Sequence, residues 1–70
     1  GYTMTINAAL KEYINRRGFK QQVIAEAVGM KMPTLNSILN GHARLPADVL
    51  VKACEYMRTT PNEVLGFPEL

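Results

Sequence analysis

Apolar residues in this chain return at three- and four-residue steps, the period of an amphipathic helix, and nowhere alternate as a half-buried strand would. The pattern is sharpest from Gln21 to Gly41, QQVIAEAVGMKMPTLNSILNG. Ile24, Ala25 and Val28 form one stripe, and Leu35, Ile38 and Leu39 form a second. Gly29 lies between them, suited to the positive φ that ends a helix and turns the chain. The spacing predicts a helix over 21–28, a turn of three or four residues, and a second short helix starting near Met32. Pro33 is tolerated there because first-turn N–H groups have no partner within the helix. Ala25 is small enough to let the two backbones approach closely.

The same reading extends to both sides. Thr5 to Arg17 predicts a first helix, with Thr5 as its cap and Ile6, Leu10, Tyr13 and Ile14 facing inward. Arg16 and Arg17 fall in the last turn, where cations suit the negative end of the helix dipole. Gly18 closes the helix and Phe19 packs inward. A fourth helix begins at Pro46 and runs to about Met57, with Leu50, Ala53, Cys54 and Met57 as its inner stripe. Thr60-Pro61-Asn62-Glu63 has the form of a capping box, Thr at the N-cap and Glu at N3, and starts a fifth helix that Gly66 ends. The expected fold is all-α, a compact five-helix bundle. Gly1-Tyr2-Thr3 reads as an expression-tag remnant before a native Met4, residues 4–66 as the domain, and 67–70 as a tail.

Seventy residues bound the chain to one small core, and one cysteine excludes an internal disulfide or a multi-cysteine zinc site. No apolar run reaches membrane-spanning length, and no signal-peptide pattern is present. These features fit a cytoplasmic protein. A net charge of +2 is only mildly basic, so attraction to a polyanion would have to be local.

Helix, tight turn and helix fit the helix-turn-helix motif, whose second helix enters the DNA major groove. Met32, Pro33, Asn36, Ser37 and Asn40 share the outer side of that helix, and none is a carboxylate. Of these only Asn36 suits a bidentate bond to an adenine edge; no Arg is available for guanine, so an A·T-biased site is expected. Lys20 and Lys31 stand at the two N-cap positions, where lysine cannot cap, leaving the first N–H groups to water or to a phosphate. With His42 and Arg44 they frame the motif. His42 has no acidic or thiol partner at metal-ligand spacing, Cys54 reads as a small core residue, and the carboxylates are scattered. Neither a catalytic site nor a cofactor is expected.

Taken in order, Gly18, Gln21, Ile24-Ala25-Glu26, Val28-Gly29, Thr34-Leu35, Ile38, Gly41, Pro46, Leu50, Ala53 and Glu63-Val64-Leu65 resemble the Cro/C1-type helix-turn-helix family of phage and bacterial repressors, also called the XRE family. The resemblance covers roughly Ile6 to Gly66. It implies a lambda-repressor-like fold and a transcriptional regulator, a homodimer on a palindromic operator in double-stranded DNA, within a bacterial or phage-infected cell. By resemblance Gln21 would touch a phosphate and buttress the recognition helix. Met32, Pro33, Asn36 and Ser37 occupy base-reading positions, while Thr34, Asn40, His42 and Arg44 fall where the family contacts the DNA backbone. Lys31 adds a charge near the phosphate.

The chain departs from the family in three ways. An Arg and Glu often paired between helices 1 and 3 are replaced by Ile14 and Leu39, a coherent exchange of a buried ion pair for packed hydrophobics. Lysines replace the usual hydroxyl caps. Met32 and Pro33, at the reading end, offer no bidentate hydrogen bonds and suit thymine methyls or a protein partner. The rival reading is accordingly a protein-interaction module of antitoxin or adaptor type, in which Met32, Pro33 and the C-terminal apolar residues meet a protein. By the resemblance, Tyr56, Phe67 and Leu70 would instead form a self-association patch for the dimer.

Overall fold

Thr5 sets the start of the first helix: its hydroxyl accepts the N–H of Ala8, and α1 runs Ile6–Arg16. The structure is a computed structural model that describes residues 5–66. The expected remnant and start at 1–4 and the tail at 67–70 lie outside the described residues. Four further helices follow: α2 (Gln21–Val28), α3 (Met32–Leu39), α4 (Ala47–Met57) and α5 (Pro61–Leu65). Among the described residues there is no strand, and no helix is long and apolar enough to cross a membrane.

The α2–α3 turn is built as the sequence requires. Gly29 takes φ 78°, the Met30 N–H donates to the Ala25 carbonyl, and the Gly29 N–H donates to that of Glu26. This is a Schellman closure, which satisfies the last carbonyls of α2 and reverses the chain within three residues. Helix α2 packs on α3 and α4, α1 packs on α3 and α5, and α4 packs on α5. Leu10, Ile14, Ile24, Leu35, Leu39 and Met57 are the large side chains fully enclosed between them. Ile14 and Leu39 therefore belong to one apolar cluster, as their joint departure from a charged pair requires.

Several expectations about packing and capping change. Ile6 is 45% exposed, because the inward face of α1 begins only at Leu10. On α4 the buried residue is Val49, while Leu50 only flanks the core, and Pro46 is the N-cap rather than the first helical residue. Leu45, in the loop before α4, is buried and adds to the core. The capping box is half made. Thr60 accepts the Glu63 N–H, but the Glu63 carboxylate accepts the Thr59 hydroxyl at 2.6 Å instead of a backbone N–H. Thr59 in turn accepts the Tyr13 hydroxyl at 2.9 Å, which ties α1 to the α4–α5 junction. Arg17 donates to the same phenol oxygen at 2.6 Å, and both Arg16 and Arg17 lie against the Tyr13 ring.

Candidate nucleic-acid interface

Helix α3 is clamped by its leucine side. Leu35, Ile38 and Leu39 are buried, which turns Met32, Pro33, Asn36 and Asn40 outward as exposed residues. Thr34 is exposed as well, and Ser37, near the end of α3, is half-buried, its carbonyl accepting the His42 N–H. The outer face is thus the one the spacing predicts, with Ser37 set deeper than its neighbours.

The polar residues of this face are joined. Asn36 Nδ2 donates to Gln21 Oε1 at 3.3 Å, so the start of α2 touches the middle of α3. Asn40 Nδ2 donates to Asn36 Oδ1 at 3.0 Å, one turn along the same helix. Lys11 Nζ, from α1, donates to Asn40 Oδ1. A carboxamide offers two N–H donors and two acceptor lone pairs, so Asn36 keeps one of each after these bonds. Those spare groups are what an adenine edge requires, an acceptor for its N6 amino group and a donor for N7.

Around this face lie exposed cations. Lys20 and Lys31 hold the N-cap positions of α2 and α3, and neither side chain makes a capping bond. His42 and Arg44 are exposed in the loop after α3, where with Thr5, Asn7, Gly41 and Ala43 they line a shallow cleft. None of Lys20, Lys31 and Arg44 is in an ion pair among the described residues. Among the described residues the acidic side chains are placed elsewhere. Glu12 pairs with Arg16, Asp48 pairs with Lys52, and Glu26 and Glu55 border a depression between α2 and α4. A mildly basic chain therefore presents one face with cations and amides but, among the described residues, no carboxylate. The described residues contain no group of three or more potential metal ligands.

Two residues join this face that the sequence pattern did not single out. Lys11 is the first. Asn7 is the second: it donates to the carbonyls of Ile38 and Ala43, holding the end of α3 and the loop beyond it. Their i,i+4 spacing places them on one side of α1. The only local hint was Asn7 itself, a residue that competes with the helix backbone and so asks for a partner. That partner lies 31 residues away.

The helix-turn-helix family model matches residues 10–64. Two solved structures share the fold. One is the restriction-modification controller protein C.AhdI from Aeromonas hydrophila, 17% identical with a TM-score of 0.73, covering 84% of this chain and 89% of that one. The other is a transcriptional regulator from Listeria innocua, also 17% identical with a TM-score of 0.73, covering 99% of this chain and 64% of that one. No curated protein matches the sequence.

Proposed function

Because the chain belongs to the Cro/C1-type helix-turn-helix family, we propose that it is a transcriptional regulator that binds double-stranded DNA with α3 in the major groove. The observation that carries this reading is the exposed amide face of α3, which among the described residues is free of carboxylates and framed by cations without ion-pair partners. Asn36 reads an adenine edge, Ser37 adds a weakly selective contact, and Met32 and Pro33 meet thymine methyls. Gln21, Lys31, Thr34, Asn40, His42 and Arg44 hold phosphates and fix the register. Readout is A·T-biased, with a further share from groove shape.

A domain of this size gains affinity by doubling its contacts, so it acts as a homodimer on a palindromic operator about one helical turn between half-sites. Exposed Tyr56, 47% accessible, supports such an association. The domain spans residues 4–66, works as a repressor, and acts in the cytoplasm of a bacterial or phage-infected cell.

Titration of mixed-sequence duplex at rising salt tests the reading. Several phosphate contacts should make affinity fall by orders of magnitude between about 50 and 200 mM salt. Absence of binding even at the low end would favour a second reading, a protein-interaction module of antitoxin or adaptor type. Met32, 38% exposed at the start of α3 next to Pro33, is the feature that favours it.

A further inference from the structure

We propose that Lys11, on α1, is a specificity-determining residue: by fixing the polarity of the amides on α3 it decides which way round Asn36 meets a base pair. This rests on the reading of α3 as the helix that enters the groove.

Three helices contribute to one line of hydrogen bonds, from Lys11 to Asn40, from Asn40 to Asn36 and from Asn36 to Gln21. Each carboxamide could in principle be turned over, exchanging its oxygen and its nitrogen at almost no steric cost. The ammonium group removes that freedom, because it has three donors and no acceptor. Asn40 must give Lys11 its oxygen, which leaves its NH₂ for Asn36. Asn36 must then receive that N–H on its own oxygen, which leaves its NH₂ for Gln21. Direction is imposed from one end, and the reverse arrangement would set two donors against each other at Lys11.

Polarity has meaning in the major groove. Adenine presents an acceptor and a donor side by side, and the reversed base pair presents them on the other strand. An Asn36 held in one orientation places its spare N–H and spare lone pair at fixed positions, so it suits A·T over T·A. An Asn36 free to turn over accepts both more equally. A plainer role for Lys11 also exists. It sits at the C-terminal end of α3, where a cation suits the helix dipole. That role, or a phosphate contact, would alter stability or overall affinity and leave base choice untouched.

The test compares wild type with Lys11→Met, Lys11→Arg and Lys11→Glu on duplexes that carry A·T or T·A at the pair beneath Asn36. Lys11→Met should shrink the preference by about fivefold or more, within the range a bidentate contact supplies. Lys11→Arg, also donor-only, should retain it, and Lys11→Glu, which only accepts, should reverse it. Uniform weakening with the preference intact in both Lys11→Met and Lys11→Glu would overturn the proposal. NMR of the side-chain amides in DNA-free protein gives a separate readout. The Asn36 and Asn40 signals should move in Lys11→Met and stay in place in Lys52→Met; unmoved signals in both overturn the relay itself. If wild type binds no duplex at all, the specificity role falls with the DNA reading, and the amide signals still report whether Lys11 orients the face.

Discussion

Asn7 holds Ile38 by its backbone: the Asn7 side-chain amide donates to the Ile38 carbonyl at 2.8 Å, across the seam between α1 and α3. Its remaining hydrogen goes to the Ala43 carbonyl at 2.9 Å, so one side chain fixes both the end of α3 and the loop that carries His42 and Arg44. Asn7→Ala should cost about 1–2 kcal/mol, the range for losing hydrogen bonds that water replaces only in part. For a domain of this size that is a drop in Tm of about 4–8 °C per kcal/mol. Asn7→Asp should cost more, since a carboxylate would face two carbonyl oxygens. Thermal melts of the two variants at neutral pH check both the sign and the order.

Arg58 ends α4 with φ 56° and ψ 49°, a left-handed conformation that a side chain makes unfavourable. Gly29 ends α2 in nearly the same conformation without that cost. Arg58→Gly should therefore raise stability by about 0.5–1 kcal/mol, the relief of strain exceeding the added freedom of the unfolded chain. Gly29→Ala should lower it by about 1–2 kcal/mol, although a Cβ there would meet no atom within 4 Å, so the penalty lies wholly in the backbone. Urea unfolding should show opposite shifts of the midpoint with unchanged slopes.

Asn36→Ala and Arg44→Ala should separate two kinds of contact. Loss of Asn36 should reduce discrimination at one base pair by about 1–3 kcal/mol and leave the salt dependence as it was. Loss of Arg44 should weaken all duplexes alike and lower the slope of log affinity against log salt by about 0.9. Equal and sequence-blind losses from both variants would remove Asn36 from the reading face.

Cys54 is 2% exposed, and burial pushes its thiol pKa above the ordinary value. The unfolded chain ionises this thiol first. Its contribution to stability is therefore constant below the ordinary thiol pKa and declines as pH rises through that value toward the raised one. Urea unfolding between neutral and strongly alkaline pH should show a decline in wild type that is smaller in Cys54→Ala. A thiol reagent at neutral pH should label Cys54 only as fast as the protein opens.

Much of this fold is legible in the residues, for identifiable reasons. The end of α2 and the start of α3 follow from Gly29 and Pro33, which act locally and leave the backbone few choices. The buried stripes of α2 and α3 follow because each is three residues at unambiguous spacing. On α4, Val49 and Leu50 are adjacent and both fit a stripe through Ala53 and Met57. Periodicity alone does not decide between the two edges; the way α4 seats on the common core does. Leu45 has no period to belong to. The outer face of α3 was legible by subtraction, as the side the leucines leave free. Its supports on α1 were not, because Asn7 and Lys11 read as ordinary solvent-facing residues until α3 is brought beside them.

That support from α1 bears on any attempt to re-engineer the domain. Swapping the outward residues of α3 into another scaffold of this fold would transfer the letters Asn36 and Asn40 but leave Lys11, Asn7 and Gln21 behind. The transplanted amides would then be free to rotate, and the recipient should acquire a blurred version of the donor's operator preference. A faithful graft has to move a small cluster drawn from three helices.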